Sequence, residues 1–180
     1  MIDEAHIIAQ LKDDSQKEKA FNTLVHEYQE VLYWQIRRLV LSHDDADDIL
    51  QNTFIKAWMA LDEFRGESKI STWLFRIAIN ESLGFLDKKK RSAEIITGTN
   101  EYLNNSLLSD PYFDGDETQA LLQEAIAHLP DKQKVVFNLK YFQEMKYEDM
   151  SQMLGTSIGA LKASYHHAVK KITDFFQQND

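Results

Sequence analysis

The chain of 180 residues has no cysteine, two prolines and six glycines. Without thiols there is no disulfide framework and no thiolate metal centre, and a reducing cytoplasm is an allowed setting. So little Pro and Gly excludes collagen-like and Gly/Ser-linker chains. Long apolar runs are missing as well: none approaches the roughly 18 residues needed to cross a bilayer. The start MIDEAHIIAQLKDD lacks the basic segment and small-residue cleavage site of a signal peptide. The sequence therefore predicts a soluble, cytoplasmic protein with no membrane insertion. What is present is 43% apolar composition, enough for one domain or two small ones with buried cores, and too much for a disordered chain.

Positive charge is in deficit. Twenty bases against 29 acids give a net charge of -9, which on its face disfavours a polyanionic partner. The distribution alters that reading. Ser42 to Glu63 holds six acids and one base, whereas Arg65 to Arg91 holds seven bases and three acids. Acidic and basic patches thus alternate along the chain.

Apolar residues Phe21, Leu24, Val25, Tyr28, Val31, Leu32, Ile36, Leu39 and Val40 recur at three- and four-residue steps, which predicts a long amphipathic helix ending near Ser42. Asp44 or Asp45 is the expected N-cap of a second helix with the stripe Ala46, Ile49, Leu50, Thr53, Phe54, Ala57, Trp58 and Leu61. After a loop containing Gly66, Ser71 is the expected cap of a third helix that runs out in Lys88, Lys89, Lys90 and Arg91. Periodicity is lost from Ser92 to Asp116, an acidic and flexible linker. Helices resume with Leu121 to Leu129 and restart at Pro130 to carry Val135, Val136, Leu139, Tyr141 and Phe142. Two more follow, over about Tyr147 to Leu154 and Ile158 to Phe176, with Gly155 in the turn between them. The predicted fold is all-α: two small helical domains, 1–91 and 117–180, joined by the linker 92–116, the second a helix-turn-helix.

Three helix faces carry candidate chemistry. On the last helix, Leu161, Tyr165, Ala168 and Ile172 must face the core, which turns Gly159, Lys162, Ala163, His166, His167 and Lys170 outward, with Ser164 and Lys171 on the flank. Small residues let a backbone approach base edges, and lysines reach phosphates. Adjacent His166 and His167 diverge by about 100° and cannot chelate one metal together. The third helix turns out Arg76, Asn80, Leu83 and Asp87, with Trp73 and Gly84 at the edge. The Asn80 amide can donate to and accept from a base, beside cations Arg65, Lys69, Arg76 and Lys88 to Arg91. On the second helix, Asp48, Gln51, Asn52 and Ile55 share an exposed face fit for protein docking. The preceding aspartates lack the Gly turn and terminal Glu of a calcium loop.

Together these segments resemble an extracytoplasmic-function (ECF) sigma factor of the sigma-70 superfamily. Asp44-Asp45-Ala46-Asp47-Asp48-Ile49-Leu50-Gln51-Asn52-Thr53-Phe54-Ile55-Lys56-Ala57-Trp58 resembles the family's core-polymerase-binding helix. Phe64 to Asn80 is similar to its -10 promoter region. Leu129-Pro130-Asp131-Lys132-Gln133, Tyr147-Glu148-Asp149-Met150 and Gly159-Ala160-Leu161-Lys162 resemble its -35-binding domain. The resemblance implies a non-enzymatic initiation factor without cofactor. Its partners would be the largest subunits of core RNA polymerase, promoter DNA and, as a further candidate, an anti-sigma factor. It assigns core binding to Asp47, Asp48, Gln51, Asn52 and Ile55. To the -10 strand it assigns Arg65, Ser68, Lys69, Ser71, Trp73, Arg76, Asn80, Leu83, Asp87 and Lys88. To the -35 duplex it assigns Ser157, Gly159, Ala160, Lys162, Ala163, Ser164, His166, His167, Lys170 and Lys171. The family commonly has Glu where this chain has Asn52, Asp and Arg where it has Gly84 and Asp87, and Arg where it has Ser164 and His167. The competing reading is a helix-turn-helix regulator that acts without stable polymerase association. No Gly-rich phosphate loop, metal-ligand triad or nucleophile constellation points to an enzyme.

Overall fold

A computed structural model describes residues 3–96 and 115–179, with side chains assigned outside 93–96. Among the described residues every regular element is helical. The N-terminal part comprises α1 (Glu4–Leu11), α2 (Lys17–Val40), α3 (His43–Met59), a 3-10 turn (Leu61–Glu63) and α4 (Ile70–Ile96). The C-terminal part comprises α5 (Glu117–Ala127), α6 (Asp131–Tyr141), α7 (Tyr147–Leu154) and α8 (Ile158–Gln178).

The predicted periodicities hold, and several helix ends move. Helix α2 starts at Lys17 and stops at Leu41, whose left-handed backbone (φ 66°) lets its N–H close on the Arg37 carbonyl. The N-cap of α3 is Ser42 rather than Asp44 or Asp45. Its hydroxyl accepts from the Asp45 N–H, and both aspartates lie in the first turn, where the helix dipole favours them. Ser71 likewise is not a cap: α4 begins at Ile70, whose N–H donates to the Glu4 carboxylate brought in by α1. That helix, absent from the sequence expectations, has its own N-cap in Asp3. Helix α4 runs to Ile96, beyond Arg91, with the Ser92 hydroxyl bonded back to the Lys88 carbonyl. Most of the expected linker, residues 97–114, lies outside the described residues; Asp116 caps α5.

Helix α2 is the spine, with α3 and α4 packed on it and on each other. Leu24, Leu32, Ile36, Leu39, Ile70, Leu74 and Ile79 are fully buried there, each contributing roughly 1.5–3 kcal/mol by leaving water. The helix-turn-helix folds over α8: Ala125, Ile126, Leu129, Phe137, Ala168 and Ile172 form its own small core. The main core does not stop at that unit. Val135, Val136, Leu139, Met150, Met153 and Leu161 join the cluster built on α2, α3 and α4. Helices α5 and α6 lie against α2, and α7 lies against α4. At this seam burial pushes the Arg38 guanidinium down to about 10, still charged at neutral pH. Its cation sits 3.7 Å from the Phe142 ring centroid. Burial also lowers the Lys134 ammonium, despite Asp131 at 3.8 Å.

Candidate polymerase and nucleic-acid interfaces

Along α3 an exposed stripe changes character. Asp48, Gln51 and Asn52 are exposed, then Ile55, and after one more turn Met59, which is 75% exposed. Residues 48, 52, 55 and 59 fall within about 60° on a helical wheel. An acidic, hydrogen-bonding and finally apolar face of this kind is built for a protein partner. Met59 extends the predicted docking set; its spacing from Ile55 was the available signal. Trp58, expected in the core, is 40% exposed and packs edge-on against Phe21 at 5.0 Å, with the Lys17 ammonium 5.4 Å from its ring. Asp47 is half-buried and turned along the helix: its carboxylate lies 3.3 Å from His43 Nε2, while His43 Nδ1 bonds the Tyr33 hydroxyl at 2.8 Å.

The second face starts in the loop before α4. Gly66 takes a left-handed conformation (φ 72°) that exposes Arg65, Ser68 and Lys69 around the turn. Ile70 is buried as an anchor, and Ser71 is half-buried and bonds the Tyr28 hydroxyl. Burial, with the Glu4 and Glu27 charges, raises the Tyr28 phenol above its ordinary value. Trp73 tilts against Phe64 at 5.0 Å, so one face of its indole is packed. Beyond it Arg76, Asn80, Gly84, Asp87 and Lys88 are exposed along one stripe; Leu83 is half-buried at its edge. No atom lies within 4 Å of a Cβ built on Gly84, so this stripe has a flat gap between Asn80 and Asp87.

The third face is α8. Gly155 (φ 63°) closes α7, its N–H bonding the Ser151 carbonyl at 2.9 Å, and the Ser157 hydroxyl caps α8 by accepting from Ala160 N–H. Leu161, Ala168 and Ile172 are buried and Tyr165 half-buried, stacked on Phe137 at 5.8 Å. Gly159, Ala160, Lys162, Ala163, His166, His167, Lys170 and Lys171 are all exposed, and Ser164 is half-buried. Lys162 rests 5.7 Å from the Tyr147 ring. Lys170, eight residues on, lies about 12 Å further along the axis, close to the width of a major groove. No group of three or more His, Cys, Asp or Glu side chains among the described residues is arranged to hold a metal, and none of their helices is long and apolar enough to cross a membrane.

The folded chain brings together the residues within each face. Lys69 and Ser71 share a cleft of about 500 Å³ with Gln143, Glu144, Met145, Lys146 and Asp149 of the helix-turn-helix, whereas the α8 face looks outward.

Residues 24–92 match the model of Sigma-70 region 2, and residues 119–172 that of Sigma-70, region 4. The chain is 30% identical over 169 residues to the RNA polymerase sigma-H factor of Pseudomonas aeruginosa, covering 88% of this chain and 87% of that protein. It is also 30% identical over 168 residues to the ECF RNA polymerase sigma factor SigW of Bacillus subtilis, covering 88% and 89%. The chain belongs to the ECF family of RNA polymerase sigma factors. The fold of this sigma factor is that of the Bartonella quintana sigma factor RpoE solved with the anti-sigma factor NepR. That likeness has a TM-score of 0.72 and 24% identity over 88% of this chain and 98% of that one. CnrH, solved with the cytosolic domain of CnrY, has a TM-score of 0.71 and 21% identity over 98% and 99%. Region 2 thus carries the α3 and α4 faces, and region 4 carries the α8 face.

Proposed function

We propose that this sigma factor engages core polymerase through α3, the melted -10 strand through the Arg65–Lys69 loop and α4, and the -35 duplex through α8. The observation that carries the reading is the exposure of three chemically distinct faces in this order along one chain. The α3 face is acidic and apolar, suited to a basic and apolar protein surface. The α4 stripe combines an amide at Asn80 with cations at Arg65, Lys69, Arg76 and Lys88, suited to unpaired bases and their phosphates. The α8 face is slim at its N-terminal end and cationic towards Lys170 and Lys171, suited to a major groove. The protein acts by binding, without catalytic chemistry of its own, in the cytoplasm where polymerase and promoters are. An anti-sigma factor is a fitting regulator, as in the complex of the Bartonella quintana sigma factor RpoE with NepR. Region 2 is 1–91 and region 4 is 117–180, with 92–116 between them.

Co-purification with core polymerase and run-off transcription from a promoter template test the assignment together. Promoter-directed transcripts that require the added protein are the expected result. Duplex DNA binding with no association to core polymerase would instead favour a regulator that works alone.

A further inference from the structure

Resting on the assignment of the -10 face, we propose that Glu4 is a positioning residue for that site: from α1, outside the segment 24–92 that matches region 2, its carboxylate fixes the start of α4 and thereby sets the base preference of the loop 65–69 and the α4 stripe.

The residue at the N-cap of α4 is unable to cap it. The Lys69 carbonyl accepts from the Trp73 N–H at 3.1 Å, which places Lys69 at that position. An ammonium accepts no hydrogen bond, and its charge stands at the positive end of the helix dipole. Glu4 provides both missing elements. Its carboxylate accepts from the N–H of Ile70, the first residue of α4, and brings a negative charge to the same end. The bond is partly shielded from water, where a charge-assisted contact is stronger.

Glu4 is itself held in place. Asp3 caps α1 by accepting from the His6 N–H at 3.3 Å, and Ile7 and Leu11 are buried in the main core, where α1 lies on α2. A second grip on α4 comes from α2, whose Tyr28 hydroxyl bonds Ser71, and burial together with the Glu4 charge keeps that phenol protonated. Two helices therefore hold the adjoining residues 70 and 71.

The consequence falls on the loop. Residues 65–69 run between two buried anchors, Phe64 and Ile70, and turn at left-handed Gly66. Phe64 is fixed by its N–H bond to the Leu61 carbonyl at 3.2 Å and by the Trp73 ring, and Ile70 by Glu4. With both ends held, so short a loop retains few conformations in which to present Arg65, Ser68 and Lys69. Reading a base edge demands placement to within roughly 1 Å, whereas a phosphate is attracted over several ångströms. A frayed first turn of α4 thus costs base discrimination before it costs strand affinity.

Glu4→Met and Glu4→Gln separate the hydrogen bond from charge and bulk. Both are uncharged and similar in shape, and only the Gln amide oxygen still accepts from Ile70 N–H. Full-length protein is used to enrich a library of short single-stranded oligonucleotides with randomised central positions, and base preference is the frequency ratio of the first to the second base at each position. Glu4→Met should lower that ratio about fivefold at one or more positions, with affinity for the unselected pool within about twofold of that of Glu4→Gln. Glu4→Gln should keep the ratio within about twofold of the native one. Ile7→Val loosens α1 without touching the cap, so it should lower the melting temperature and leave the ratio unchanged. A native ratio in Glu4→Met overturns the positioning role, as does equal loss in Glu4→Gln or in Ile7→Val. Asn80→Ala tells this failure from that of the -10 site. If Asn80→Ala shifts base preference and Glu4→Met does not, the -10 assignment stands and the role of Glu4 fails; if the native chain enriches no base, the assignment fails and the role falls with it.

Discussion

Salt dependence is the most direct test of the proposed contact between α8 and DNA. Lys170 and Lys171 are exposed and have no ion-pair partner among the described residues, so each can neutralise a phosphate without first breaking an internal contact. Each such contact on duplex DNA contributes about 0.9 to the slope of log K against log salt. Relative to 1 M salt, where the counterion term vanishes, one contact is worth about eightfold in affinity at 0.1 M, or ~1.2 kcal/mol, and little more than twofold at 0.4 M. Lys170→Ala should therefore lower affinity for a -35 duplex about eightfold at 0.1 M and flatten the slope by about one unit. Its effect should be nearly the same on every duplex sequence, because a phosphate carries no base identity. Lys162→Ala should cost less, since the Lys162 ammonium leaves the Tyr147 ring, 5.7 Å away, to reach a phosphate. Fluorescence anisotropy with labelled duplex from 0.05 to 0.4 M salt measures both quantities. An unchanged slope for Lys170→Ala, or an affinity loss confined to one sequence, would refute a phosphate contact at this position.

Asn80→Ala should alter the preferred base at one -10 position more than overall strand affinity, measured across a panel of single-base variants; uniform weakening would mean a backbone contact. Asp48→Lys with Gln51→Ala should abolish co-purification with core polymerase at unchanged helicity, and Met59→Ser should weaken it, because 75% of Met59 is available to a partner. Gly155→Ala should destabilise by about 1 kcal/mol, lowering the melting temperature by roughly 2–4 °C. An added Cβ meets no atom within 4 Å, so the left-handed backbone alone carries that cost. The hydrogen bond from Lys90 to Asp131 holds the lysine above its ordinary value. This ion pair is thus at full strength below the ordinary lysine value of 10.5 and is lost as pH rises through the higher folded value. Stability should therefore fall there by no more than about 1 kcal/mol, measured by thermal melting, and Lys90→Arg, which stays charged, should remove that part of the loss.

Helices α2, α6, α7 and α8 were legible because burial on one side imposes a 3.6-residue apolar repeat, and Gly155 was legible because a tight turn needs its positive φ. The exposed α8 face followed from the same wheel. Caps were less legible. At the start of α3, Ser42, Asp44 and Asp45 are all good capping residues, and only the chain path out of Leu41 decides among them. The cap of α4 was out of reach, since Glu4 is 66 residues away in sequence from the N–H that it satisfies. Exposure at Trp58 and Tyr141 was hidden for a related reason: a large aromatic counts as apolar in any repeat, whereas one packed edge or face satisfies it.

The seam between the regions shows the deeper limit. Val135, Val136 and Leu139 read as the inner face of a C-terminal helix, and they are buried, but against α2 rather than within region 4 alone. A repeat states that a face must be covered; it does not state by what. The charges carry the same lesson in a form that bears on function. Lys90 and Asp131, on either side of the acidic segment 92–116, read as part of a basic helix end and of a motif resembling the -35-binding domain, yet they meet as an ion pair. An acidic chain with a basic α4 face, proposed above for the -10 strand, therefore has two ways to neutralise that face, its own carboxylates or the phosphates of nucleic acid. At the start of α4, Lys69 lines one cleft with Glu144, Lys146 and Asp149 of the helix-turn-helix. On the proposed function, phosphates would compete with Asp131 for Lys90, which reconciles an overall charge of -9 with DNA binding.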